Sequence, residues 1–200
     1  MSDPLHQVLR ALERPMRPSS DFDLNHGIVL PERRLLRPAG VLVPIHGDPD
    51  RPTVILTKRS SALKHHPGQI AFPGGKQDEG DTDVIAAALR EAREEIALDE
   101  SNLEILGTMP AHETVTGFSV TPVVARVRER FDPVPEAGEV DEVFEVPLAH
   151  VLDCGRYRIE GRHWRGIKRH YYVAPFGPYY VWGATARMLR QLAEAVRDED

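Results

Sequence analysis

The chain has 200 residues, an apolar share of 41% and a net charge of −6 at pH 7. That length suits one domain with a proper core and an extra arm, and the acidic balance argues against broad nucleic-acid binding. A single cysteine, Cys154, allows no intramolecular disulfide and points to a reducing compartment; it reads as a small buried apolar residue rather than a nucleophile.

The opening stretch MSDPLHQVLRALERP has neither the apolar core of a signal peptide nor the arginine-rich, acid-free character of a transit peptide. No window approaches a membrane span. A cytoplasmic protein is therefore expected, with a small molecule as partner and neither nucleic acid nor membrane. Residues from about Pro4 to Glu13 predict a short amphipathic helix, with Leu5, Val8, Leu9 and Leu12 on one side. A polar, proline-bearing stretch follows through Arg37. Residues 1–37 thus read as an N-terminal helix and extended arm, a candidate homodimer interface, and residues 38–200 as the main domain.

Three apolar runs with β-branched content come next: AGVLVPI from Ala39, TVILTKR from Thr53 and QIAF from Gln69. Each is bounded by Gly, Pro or Asp, as strands are. In the last run Ile70 and Phe72 read as core. FPGGKQDEGD then predicts a glycine-bearing turn leading into a helix over Val84–Ile96. NLEILGTM from Asn102 and VTPVVARV from Val120 predict further strands. RERFDPVPEAGEV from Arg128 predicts a long loop, and EVDEVFEVPLAHVLD from Glu139 a bend and a short helix. YRIE from Tyr157 and RHYYVAPF from Arg169 predict a late hairpin. WGATARMLRQLAEAVRD closes the chain as an amphipathic helix headed by Trp182, a packing residue. Strands and helices in this irregular order predict an α/β sandwich with a mixed sheet rather than a repeated βαβ fold.

The helix over Val84–Ile96 carries an unusual charge pattern. Ile85, Ala88, Leu89, Ala92 and Ile96 form its core face, and Asp81, Thr82 or Asp83 can cap it. Glu91 and Glu95 lie one turn apart on the same side, and Glu94 flanks them. Like charges at this spacing repel by roughly 0.2–0.5 kcal/mol per pair, and they sit in the late turns where the helix dipole disfavours negative charge. Arg90 can pair with Glu94, whereas Arg93 points away from Glu91 and Glu95. Taken alone, an acidic helix face is a solvated surface. The other reading is a hard divalent cation, which takes carboxylate and phosphate oxygens and keeps several waters. The Gly74-Gly75 pair just upstream favours this second reading, because its backbone amides can approach a phosphate or shape the loop beside a metal.

Together these residues resemble the Nudix hydrolase signature, G-x5-E-x7-R-E-U-x-E-E-x-G-U, where U is a bulky aliphatic residue. Arg90, Glu91, Glu94, Glu95 and Leu98 match its second half, with Ala92 at a U position. Three departures stand out: one extra residue between Gly75 and Arg90, Asp81 at the first glutamate and Ala97 at the late glycine. The longer spacing is similar to that of the coenzyme A pyrophosphatase branch. LTKRSSALKHHPGQIAFPGG, from Leu56 to Gly75, resembles that branch's upstream motif, with Lys64 where the motif has arginine. VTGFSVTPVV, EVDEVFEVPL and YVWGATARML also look like this branch, so the likeness runs over roughly Val41 to Leu189.

The resemblance implies a Nudix-type α/β/α sandwich and a magnesium- or manganese-dependent hydrolase. Coenzyme A would be cut to adenosine 3′,5′-bisphosphate and 4′-phosphopantetheine. Glu91, Glu95 and Glu94 are the expected metal ligands, with Arg90 orienting a glutamate through an ion pair. Catalytic candidates are Glu91, Glu94, Glu139 and Glu142, the last two because their segment follows the long loop; His112 and Glu113 are weaker ones. Expected substrate contacts are Arg59, Lys64, Gly74 and Gly75, with His65 and His66 in the same basic cluster and Arg33, Arg34 and Arg37 as further cations. Competing readings are a diphosphatase of ADP-ribose or a dinucleotide, and a non-catalytic nucleotide-binding module.

Overall fold

The computed structural model describes residues 3–28, 34–164 and 166–198. Helix α1 (Pro4–Leu12) leads into the two-residue strand β1 (Ser19–Ser20). Strands β2 (Arg37–His46), β3 (Thr53–Arg59), β4 (Ile70–Ala71) and β5 (Gly74–Lys76) precede helix α2 (Val84–Ile96). Then come β6 (Leu103–Thr108), β7 (His112–Glu113), β8 (Phe118–Val127), β9 (Val140–Pro147) and the short helix α3 (Leu148–Leu152). The hairpin β10 (Arg158–Trp164) and β11 (Ile167–Val173) and the helix α4 (Gly183–Arg197) complete the chain.

Nine strands form one mixed sheet among the described residues. Its centre is the parallel pair β2–β8, in register from Arg37↔Phe118 to Ile45↔Arg126. The same edge of β2 serves two antiparallel partners: its first part pairs with β5 (Gly40↔Gly75) and its end with β3 (Ile45↔Val54). The layers follow from alternation along these strands. Leu42, Ile55, Val123 and Ala125 turn to one face and meet Ala88, Leu89, Ala92 and Ile96 of α2. Val43, Val54, Leu56, Val124 and Val146 turn to the other and meet α1, α3 and α4. The result is the expected α/β/α sandwich.

Two local expectations are corrected. The Gly74-Gly75 segment is no free turn but the short strand β5, held along β2. VDEVFEVP, from Val140, is not a bend but the eight-residue strand β9, paired with β3 from Thr53↔Pro147 to Arg59↔Val140. Val140, Phe144 and Val146 are buried and Val143 packs on the α2 side, so burial on both faces overrides the acidic residues between them. The N-terminal arm is bound into the main core. Val8 and Ala11 are wholly buried, and β1 pairs in parallel with β7. The apolar face of α1 is therefore covered within the same chain, largely by α4.

Candidate active site

Helix α2 is fixed at both ends. The Asp83 carboxylate accepts from the N–H groups of Ile85 and Ala86 at 2.9 and 2.8 Å, the N-cap role. At the other end Ala97 adopts the left-handed conformation, with φ 57° and ψ 29°. The N–H of Leu98 then returns to the carbonyl of Ala92 at 3.3 Å, and the Leu98 side chain is fully buried. This is the Schellman arrangement, which explains why the motif places glycine and then an aliphatic residue here.

Arg90 organises the acidic face. Its guanidinium grips Asp81 with two bonds of 3.0 Å, reaches Glu91 at 3.0 Å and Glu94 at 3.1 Å, and donates to the Lys76 carbonyl at 3.3 Å. This hydrogen bonding, to Asp81 first, raises the Arg90 pKa, and Arg90 in turn holds the Asp81 carboxyl below its usual range. Asp81, at the position of the signature's first glutamate, is thus the principal partner of Arg90. The turn that closes between Asp78 and Asp81, with Asp81 N–H to Asp78 C=O at 3.0 Å, takes up chain just ahead of the helix.

Glu95 is the most deeply placed carboxylate, with only 3% of its surface exposed. Its Oε2 accepts from Gly74 N–H at 3.2 Å, and Arg59 Nη1 stands 4.0 Å from Oε1. Burial pushes its pKa up to about 7; the Gly74 bond and Arg59 oppose this, while the charges of Glu91 and Glu139 reinforce it. Burial also raises Glu91, with Arg90 opposing and Glu94 and Glu139 adding to the rise. Two glycines make this packing feasible. Gly74 has φ 151°, a left-side conformation that other residues rarely adopt. At Gly75 a β-carbon would lie 2.6 Å from Cδ of Glu91. The glycines therefore hold the glutamates, and the Gly74 amide expected to face substrate is already committed to Glu95.

The long loop after β8 brings the fourth carboxylate. Val134 N–H donates to the Ile96 carbonyl at 3.2 Å and Glu136 N–H to that of Glu95 at 2.9 Å, so the loop satisfies the open C-terminus of α2. Glu139 follows, anchored by its carbonyl, which accepts from Ser60 N–H at 2.8 Å. Its charge reaches both Glu91 and Glu95. Nothing in the sequence signals this docking, because it is made by backbone groups.

Other candidates fall elsewhere. Glu142 pairs with Lys58 across β9–β3 and alternates with Phe144 toward the α4 side, where it accepts from the Tyr179 hydroxyl. It lies on the opposite face from Glu95 and is withdrawn as a base. Glu94 is exposed and drawn to Arg90. Among the described residues no three carboxylate, imidazole or thiol groups stand close enough together to enclose a metal ion. The acidic constellation is thus Glu91, Glu95 and Glu139, with Glu94 at its rim.

His112 is also removed from the candidates. It is wholly buried, with Nδ1 2.9 Å from Ser19 Oγ and Nε2 3.1 Å from Asp21. Ser19 continues to Gln191 of α4 at 3.0 Å, and Gln191 donates to the Arg17 carbonyl at 2.6 Å. This network, which the sequence does not reveal, latches the arm to the sheet and to α4. Glu113 pairs with Arg34, and Arg37 lies over the Phe118 ring at 4.0 Å, so both arginines have partners of their own. Lys64, His65 and His66 are exposed in the loop between β3 and β4. Arg33 lies outside the described residues. Among the expected cations that are described, Arg59 alone stands against the carboxylates. An open hollow of about 1140 Å³ lies along the flank of α2 that carries Ile85, Leu89 and Arg93; of Glu91, Glu94, Glu95 and Glu139, its lining includes only Glu94.

The donor set suits a hard cation. Partly buried carboxylates repel one another, with only Arg59 and Arg90 to offset them, and a divalent ion shared with a phosphate relieves that repulsion.

Comparison with known proteins gives a consistent picture. Residues 36–168 match the NUDIX domain model. A relative from Escherichia fergusonii named uncharacterized Nudix hydrolase NudL is 45% identical over 157 residues, covering 78% of this chain and 81% of its own length. A protein of the same name from Klebsiella pneumoniae (strain 342) is 45% identical over 185 residues, covering 87% and 96%. Among solved structures, a MutT/nudix family protein from Enterococcus faecalis superposes with a TM-score of 0.52 at 15% identity, over 99% of this chain and 75% of that one. The NUDIX domain of Shewanella oneidensis NrtR, solved with ADP ribose, gives 0.51 at 18% identity, over 81% and 89%. These two likenesses concern the fold.

Proposed function

This chain belongs to the Nudix hydrolase family, and from that premise we propose that it hydrolyses the diphosphate linkage of coenzyme A to adenosine 3′,5′-bisphosphate and 4′-phosphopantetheine. The observation that carries the chemistry is the buried Glu95 beside Glu91 and Glu139, with Arg59 as its nearest cation. The branch-like segment from Leu56 to Gly75 supports the choice of substrate, since it supplies both Arg59 and the Gly74 amide that positions Glu95.

Glu91 and Glu95 would hold Mg²⁺ or Mn²⁺, and Glu94, now paired with Arg90, would join through a water. The ion, when bound, neutralises phosphate oxygens and eases deprotonation of water. Glu139 is the proposed general base: its carboxylate takes a proton from the water that attacks phosphorus. Arg59 screens Glu95 and offers donors to a diphosphate oxygen. Arg90 keeps Glu91 oriented without touching substrate. Residue Lys64, exposed in its loop, is proposed to meet the ribose 3′-phosphate. The setting is taken to be the cytoplasm.

The test is product analysis by chromatography with coenzyme A, ADP-ribose and NADH, each in Mg²⁺ and in Mn²⁺. Adenosine 3′,5′-bisphosphate from coenzyme A alone, absent with Glu95→Gln, is the expected result. Turnover of ADP-ribose or NADH in preference would overturn the substrate assignment.

A further inference from the structure

The β10–β11 hairpin forms a sheet of its own, apart from the nine-stranded one. Its base is well tied. Tyr172 lies beneath Arg190 at 4.6 Å, the Asn25 amide exchanges two bonds with the His170 backbone at 2.9 and 2.8 Å, and the Tyr180 hydroxyl donates to Glu160 at 2.7 Å. The distal part is bare: Gly161, Arg162, His163, Gly166, Ile167 and Lys168 are all exposed.

This ribbon is chemically unlike the rest of the chain. From Arg158 to Val173 there are five Lys and Arg against one Glu, a net +4, which leaves −10 for the remainder of a chain whose total is −6. Beyond Glu160 the ribbon contains no acid. Arg162 stands directly opposite Arg169, a pairing of like charges that disfavours two strands in isolation. At the distal end Ile167 is 52% exposed and in register with Trp164.

We propose that this ribbon docks on the surface of an anionic lipid bilayer. Nucleic acid would answer the cations, but it meets an isoleucine only at a thymine methyl or an unstacked base step, a narrower requirement than an apolar surface. A bilayer with acidic headgroups answers both: Arg162 and Lys168 sit at the headgroup level, each strengthening attachment about fivefold, while Ile167 enters the acyl boundary. The −10 remainder is repelled by the same surface, so the charge asymmetry orients the molecule ribbon-first. No described helix is long and apolar enough to cross a bilayer; a surface contact needs no such helix.

The test is co-sedimentation of the full chain with vesicles of phosphatidylcholine alone or with one-third phosphatidylglycerol. Binding is expected only to the anionic vesicles and is lost in 0.5 M salt. Arg162→Ala with Lys168→Ala should weaken it about 25-fold, and Ile167→Ser should weaken it with every charge kept. Unchanged melting temperatures and unchanged hydrolysis of a soluble substrate will show that the variants remain folded. Equal binding to neutral vesicles, no binding to either, or no effect of Ile167→Ser would each overturn the proposal. So would tighter binding of an oligonucleotide than of anionic vesicles, which would assign the ribbon to nucleic acid.

Discussion

The backbone N–H of Gly74 donates to the carboxylate of Glu95, and this 3.2 Å bond joins strand β5 to the last turn of α2. It is one of few compensations for a carboxylate that is almost fully buried. The consequence is a measurable dependence of stability on pH. Glu95 titrates at about 7 when folded, against an ordinary value of 4.5. Between those values the folded protein retains a proton that the unfolded chain has released. Metal-free stability therefore falls as pH rises from about 4.5 to about 7, by roughly 3 kcal/mol in all. Urea midpoints at pH 5 and pH 8 should show this fall in the wild type and a flatter profile in Glu95→Gln. Parallel profiles would refute it.

Gly75 leaves room for the Glu91 carboxylate. Gly75→Ala should displace that group by about the width of a methyl and lower turnover by roughly 100-fold, since misplacement on the order of 1 Å can have that effect. Steady-state kinetics beside a urea melt will separate this from unfolding. A fully active Gly75→Ala would mean that Glu91 has no fixed position in the reaction.

Ala97 occupies a left-handed C-cap, with φ 57°. A β-carbon in that conformation costs about 1 kcal/mol. Ala97→Gly should raise stability by about that amount with activity unchanged, as read from the urea midpoint. A loss of stability would show that the freedom glycine adds to the unfolded chain outweighs the relieved strain.

The Ser19–His112–Asp21 network is predicted to be structural. His112→Leu removes the ring that bridges Ser19 Oγ and Asp21 Oδ1 and leaves Ser19 with Gln191 alone; it should destabilise the fold by about 2–4 kcal/mol. Folded variant at low temperature should keep its pH–rate profile. A lost acidic limb in that profile would return His112 to the chemistry as a base.

The core of the site was legible in the sequence because it is local. Glu91, Glu94 and Glu95 share one helix, and helical geometry alone sets them together. Arg90 was likewise legible as an ion-pair residue, although its principal partner, Asp81, lies nine positions earlier and depends on a turn. Both long helices also followed from apolar periodicity, and the mixed sheet from the irregular order of strands and helices; the strand order did not. What was not legible depends on distant backbone. Strand β9 needed β3 beside it, and the approach of Glu139 needed the amides of Val134 and Glu136 to cap α2. Glu142 looked equivalent to Glu139 in sequence, three residues away; strand alternation sends it to the other face. The two roles read for Gly74-Gly75, meeting a phosphate or shaping the loop beside a metal, were left open for a related reason, since only the fold shows which side chains press against them.

The central claim is that Glu91, Glu95 and Glu139 form one cation-dependent site, and calorimetric titration with Mn²⁺ at pH 8 tests it most directly. Wild type should bind the ion, Glu95→Gln at least tenfold more weakly, and Glu142→Gln as wild type does. Equal binding by wild type and Glu95→Gln would contradict the account.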